Sequence, residues 1–222
     1  MAKFEYNRYY PFAAFITNLG KYNEGALVGE WVKFPTTAEE LKKVFERIGI
    51  GAKDDFGQPY EEWFITDYDC YVDGLYDLLG EYANLDELNY LAARLDEMSD
   101  YDFELFEAVV EVGGCGNSVK DLINLIDNLD SYMVLSNVTN DYDLGYYYIE
   151  ESGCYDTDKL GTLARYIDYE SFGRDVRYEE GVCFTSAGYI LHDGSSFTEY
   201  YEGVEDIPDE YRVLNFEEDK EE

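Results

Sequence analysis

Between residues 54 and 158 the chain carries 27 acidic side chains and only two basic ones, Arg94 and Lys120. A segment with a net charge of −25 repels itself unless its carboxylates stay in water or meet a cationic partner. The flanks differ: residues 1–53 have a net charge of +2 and residues 159–222 one of −11, so the total of −34 is polarised along the chain. Disorder is not the expected outcome, because 46% hydrophobic and 18% aromatic residues can fill a core in a chain of 222. B-form DNA carries one charge per about 1.7 Å of axis, so the same charge belongs to roughly 17 base pairs, about 58 Å long. A compact chain of this length would have a radius of gyration of about 17 Å. Spreading such a charge favours an elongated shape.

The helical signal is strongest inside the acidic segment. Asn84 stands as an N-cap before Leu85, Leu88, Leu91 or Ala92, Leu95 and Met98, which share one helical face. Residues 95–112 then read LDEMSDYDFELFEAVVEV, with seven carboxylates and no base. Ser99 followed by Asp102 is a second capping signal, which divides the stretch into two helices and leaves Asp102 at an N-terminus, where the macrodipole favours an anion. In the second helix Asp100, Glu104, Glu107 and Glu111 form one stripe over a rise of about 16 Å. Leu105, Phe106, Val109 and Val110 face the other way. GGCGN (113–117) ends that helix, and Ser118 caps a third with Leu122, Leu125 and Leu129 as its buried face.

On either side the pattern mixes strand and helix. FAAFITN (12–18) and GALVGEWVKF (25–34) flank a turn-rich LGKYNE and predict a hairpin. Thr37 and Glu40 form a capping box before a helix bearing Leu41, Val44, Phe45 and Ile48, ended by Gly49 and Gly51. EEWFITDYD (61–69) predicts a third strand. After the helices come a strand-like SYMVLSNV (131–138), a Tyr-rich helix DLGYYYIEESG closed by Gly153, a helix around DKLGTLARYIDY, and a hairpin over GVCFTSAGYILH (181–192). The predicted class is α+β, an elongated protein of three modules. These are an N-terminal sheet-plus-helix module (10–83), a central acidic helical module (84–130) and a C-terminal module of helices and a small sheet (131–192). An acidic extension (193–222) follows, in which FTEYY (197–201) could add a strand.

Chemistry-bearing motifs are weak. The four cysteines (70, 115, 154, 183) form no C-x-x-C pair and His192 is the sole histidine, which disfavours zinc and most acid–base schemes near neutral pH. Reduced, partly buried thiols are expected. Asp-x-Asp occurs at 67–69, 100–102, 141–143 and 156–158, without the register and sixth-position glycine of a calcium loop. GIGAKDD and GGCGNSVK lack the spacing of nucleotide-binding loops. No cofactor, metal or catalytic residue is therefore assigned. There is no apolar run of membrane length and no signal-peptide core at the start, which points to the cytoplasm. Direct nucleic-acid binding is disfavoured by the shortage of Lys and Arg. The reverse arrangement works physically: unpaired carboxylates along helices can offer a basic DNA-binding groove what a duplex would offer. Two alternatives stand beside it. One is a carbohydrate-active enzyme using a carboxylate pair; the other is a halophilic-type acidic surface without an inhibitory role, which would spread its charge over all segments.

Several ordered blocks resemble one family, the ArdA-type antirestriction proteins. They are FITNLGKYNEGALVGEWVKFP (15–35), EEWFITDYD (61–69), YYIEESG (147–153), YIDYESFGRDV (166–176) and the acidic LDEM opening of the stretch at 95. The likeness covers about residues 12–192. It implies a non-enzymatic, elongated homodimer that mimics bent B-form DNA and is associated with mobile DNA. Its partner would be a type I restriction–modification enzyme, in the groove formed by specificity and methyltransferase subunits. Restriction would be blocked, with modification left open. The family's acidic motif falls on Asp96, Glu97, Asp100, Asp102, Glu104, Glu107 and Glu111, and its dimer contacts on the C-terminal module.

Overall fold

The computed structural model describes residues 10–72, 74–113 and 116–215. They form an α+β protein with a three-stranded and a two-stranded antiparallel sheet, the class expected from the sequence. The chain divides into two compact units: the described parts of residues 1–99, 115–127 and 198–222 make the first, and those of 100–114 and 128–197 the second.

In the first unit β1 (Phe12–Asn18) lies between β2 (Gly29–Phe34) and β3 (Trp63–Cys70). A central strand is covered on both faces, and six of the seven β1 residues are buried. Phe12 and Phe34 stack at 5.6 Å. The predicted hairpin forms, but β2 starts at Gly29, because the connection folds into a short helix α1 (Leu19–Asn23) capped by Asn18. A Cβ at Gly29 would meet the Phe15 ring and the Ile16 carbonyl, so this strand pair needs a glycine there. Thr37 caps α2 (Ala38–Ile48) as predicted, its hydroxyl accepting from the Glu40 N–H, and Gly49 closes the helix at φ 81°. Leu41, Val44, Phe45 and Ile48 are all buried, and the Phe45 ring lies 4.9 Å from that of Trp63.

Asn84 caps α3 (Leu85–Asp96) by accepting from the N–H groups of Asp86 and Glu87. Ser118 caps α5 (Val119–Asp127). Arg94 bridges the two helices, with its guanidinium 2.7 Å from the Asp127 carboxylate. The segment following residue 197 forms no strand at FTEYY, yet it is built into this unit. Tyr201, Ile207 and Val213 are buried. Asn124, itself fully buried, accepts from the N–H groups of Tyr200 and Tyr201 and donates to the Tyr201 carbonyl. Asn89 donates to the Tyr211 carbonyl, and Asp86 accepts from the N–H groups of Val213 and Leu214. Residues 216–222, the rest of the acidic extension, lie outside the described residues.

The second unit holds α4 (Asp100–Glu111), β4 (Tyr132–Leu135), α6 (Asp141–Tyr146), α7 (Tyr169–Glu180) and β5 (Tyr189–His192). The break predicted at Ser99 is present, with α3 ending at Asp96 and α4 starting at Asp100. Leu105, Phe106, Val109 and Val110 are buried, as the periodicity requires. Two expectations need correction. Residues 181–192 make only a minimal hairpin, an antiparallel bridge between Phe184 and Tyr189 around the turn at Thr185 and Gly188, while β5 pairs along its length with β4, in register Tyr132↔His192 to Leu135↔Tyr189. The stretch DKLGTLARYIDY is not an α-helix either. It makes 3-10 turns interrupted at Gly161 (φ 54°, ψ −123°), and the α-helix follows at α7, capped by Asp168. The Tyr-rich helix forms, finishing as a π-helical turn over Tyr147–Glu151. α6 and α7 approach closely at Gly145 and Gly173. A Cβ at Gly145 would run into the Tyr169 carbonyl, and one at Gly173 into that of Asp141.

Candidate partner-binding surface

The seven acids singled out from the sequence occupy two helices. Asp96 ends α3 and Glu97 is its C-cap, both exposed and both in the first unit. Anions are disfavoured at a helix C-terminus by roughly 0.3–1 kcal/mol, so these two do not serve the helix. Asp100 and Asp102 occupy the first turn of α4, where the same dipole favours them. Glu104 is exposed and Glu107 half-buried on the next turns. Glu111, exposed at the end of α4, accepts from the Ser186 N–H at 3.1 Å and from its hydroxyl at 3.1 Å. The stripe therefore has one end tied to the turn before β5. Glu97 also accepts from the Tyr211 hydroxyl, at 3.4 Å.

Spacing limits what this stripe can do alone. Four acids over about 16 Å of α4 stand roughly 5.5 Å apart along the axis, against about 3.4 Å per phosphate on one DNA strand. A single helix face falls short of one strand of duplex, so further carboxylates are needed to match a backbone.

Several cations are already committed to ion pairs among the described residues. Arg94 pairs with Asp127 and Lys120 with Glu199 at 2.8 Å, so both bases of the acidic segment meet acids of the same unit. Arg177 grips Asp141 through Nε at 2.7 Å, holding α7 to the start of α6 and keeping that carboxyl below its ordinary range. Lys43 and Arg47 pair with Glu39, Glu40 and Glu30 in the near-neutral N-terminal part.

Periodicity could not show a second kind of partner. Tyrosine hydroxyls donate to glutamates at Tyr60–Glu24, Tyr148–Glu180, Tyr189–Glu180, Tyr169–Glu150, Tyr201–Glu87 and Tyr211–Glu97. Most of these pairs are separated by 19 to 114 residues, so no local pattern carries them. The tyrosines are shifted upward, Tyr148 and Tyr189 chiefly by burial, Tyr169 chiefly by its bond to Glu150, which takes it to about 12. Their protons stay on the tyrosine oxygens.

Neither alternative chemistry gains from the geometry. Among the described residues no group of three or more His, Cys, Asp and Glu is gathered for a metal ion. Cys70 is half-buried while Cys154 and Cys183 are exposed, more open than expected, and Cys115 lies outside the described residues. One cavity of about 400 Å³ in the second unit is lined by Asp130, Asp193, Tyr132, Tyr148 and His192. A glycosidic acid needs a raised pKa; the Asp193 carboxyl is lowered by its bonds to Ser195. No helix among the described residues is long and apolar enough to cross a membrane.

Fold and side chains together define an acidic α+β protein that holds carboxylates on exposed helix faces and pairs both bases of its acidic segment internally. The model of the antirestriction protein family ArdA matches residues 14–191, and the chain belongs to that family. A search of individually curated proteins finds no match. Antirestriction is thus its functional class.

Proposed function

We propose that the chain is a non-enzymatic DNA mimic that occupies the DNA-binding groove of a type I restriction–modification enzyme, between specificity and methyltransferase subunits. It thereby blocks DNA binding and restriction in the cytoplasm. The observation that carries this reading is the set of exposed acids Asp96, Glu97, Asp100, Asp102, Glu104 and Glu111, with half-buried Glu107, in a segment whose two bases are consumed by internal ion pairs. A groove built to neutralise phosphates releases its own anions when it meets such a surface, and long-range attraction steers the encounter. The near-neutral residues 1–53 favour this over a halophilic surface, which would be acidic throughout. In the same reading two copies associate through residues 131–192, lengthening the anionic surface, and the chain does not itself bind nucleic acid.

The test is displacement of a labelled duplex from a purified type I methyltransferase. The protein should displace it at 50 mM salt, with an effect that falls steeply, by orders of magnitude, toward about 200 mM, as counterion release requires. No displacement at either salt would refute the proposal.

A further inference from the structure

Two glutamates of the second unit are held in an unusual manner. Glu180 has both carboxylate oxygens occupied, Oε1 accepting from the Tyr148 hydroxyl at 2.5 Å and Oε2 from the Tyr189 hydroxyl at 2.6 Å. Glu150 is held likewise, Oε1 by the Tyr169 hydroxyl at 2.5 Å and Oε2 by the Thr157 hydroxyl at 3.2 Å. Both side chains are exposed, and neither forms an ion pair with a described Lys or Arg. Each carboxylate is therefore fixed in direction by hydroxyl groups and not by a cation.

Stability alone does not account for this choice. Glu180 is the last residue of α7, and Glu150 lies in the final turn of the helical run that begins at α6. An anion at a helix C-terminus is disfavoured, whereas a glutamine would avoid that penalty, accepting one hydroxyl bond on its oxygen and donating its amide N–H to the other hydroxyl oxygen. A lysine or arginine partner would hold the carboxylate equally well but would cancel the charge a partner has to read. Neutral hydroxyl donors satisfy both requirements, and the α4 stripe by itself is too sparse to match a DNA strand.

We infer that Tyr148, Tyr169 and Tyr189 are positioning residues, which orient Glu150 and Glu180 as two further fixed anions for the cationic groove of the partner. The inference rests on the DNA-mimic reading and adds to it residues outside the acidic motif. An exposed glutamate with free rotors must lose conformational freedom on binding; one already clamped at both oxygens loses little.

The experiment compares three full-length proteins in the duplex-displacement assay at two salt concentrations: the natural sequence, Glu150→Gln/Glu180→Gln, and Tyr148→Phe/Tyr169→Phe. The Gln protein should need at least threefold more inhibitor, with a salt slope shallower by up to about 2, roughly one per charge removed. The Phe protein should also need at least threefold more, but with the slope of the natural sequence, because its charge is intact. A purely structural role would leave the salt slope of the Gln protein at the natural value, and that result overturns the inference. Either variant matching the natural protein within twofold overturns the inference, whereas a natural protein that displaces nothing overturns the mimic reading itself. Should the near-UV circular dichroism of the Phe protein depart from that of the natural one, Tyr169→Phe alone serves as the second variant. Its ring keeps its packing on Tyr142 and Tyr146, and at least a twofold loss at unchanged slope is expected, with no loss counting against the inference.

Discussion

Asp86 is 5% exposed, and its carboxylate is met by two backbone N–H groups, at 2.6 Å from Val213 and 2.8 Å from Leu214. Charge-assisted bonds of that length are among the stronger ones a protein makes, and both donors come from a segment over 120 residues away. Replacement by alanine strands two amides in a buried setting, at about 1–3 kcal/mol for each. Asparagine retains the acceptor oxygen. Urea unfolding should therefore show Asp86→Ala destabilised by roughly 3 kcal/mol and Asp86→Asn by less than half as much. Equal losses would mean that the charge, not the acceptor, holds residues 213 and 214. From the sequence Asp86 is a polar residue in the first turn of a helix, a site where the dipole welcomes any acid. Its partners become visible only once the chain's distant part is folded onto it.

Among the elements, those with local causes were legible. Caps at Thr37, Asn84 and Ser118 and the buried faces of α2, α3, α4 and α5 follow from side chains within one or two turns. What escaped has non-local causes. β5 pairs along its length with β4, and with the neighbouring residues only through the Phe184–Tyr189 bridge. α7 carries glycine at Gly173, which weakens a helix judged by propensity alone. That glycine is explained by the helix it touches: α6 and α7 cross where Gly145 and Gly173 face each other's backbone. Gly145→Ala should raise helix propensity and yet lower the stability of the second unit by more than 2 kcal/mol, since overpacking against a rigid carbonyl cannot be relieved by a rotamer change. Hydrogen exchange of the α7 amides measures it; protection equal to that of the natural protein would show that the helices can slide apart freely.

For the whole molecule the charge balance is the dominant fact, and it was readable from composition, whereas the seven candidate acids came with the family resemblance. Their partners were not readable, since Glu111 is bound by Ser186 across 75 residues. Replacing Asp100, Glu104, Glu107 and Glu111 by lysine changes the net charge by eight. The four-lysine protein should lose at least tenfold in displacement potency while its far-UV circular dichroism stays within a tenth of the natural signal. Inhibition unchanged by that replacement would remove α4 from the contact surface. Some loss of melting temperature is expected, because Asp100 leaves a helix N-terminus and Glu111 leaves the Ser186 bonds. The docked segment 198–215 bears on the order of events during synthesis. The bonds that Asn89, Asn124 and Asp86 make to that segment cannot form until it has left the ribosome, by which time residues 100–197 have already emerged. The first unit thus completes its internal hydrogen bonds only after every residue of the second has been made.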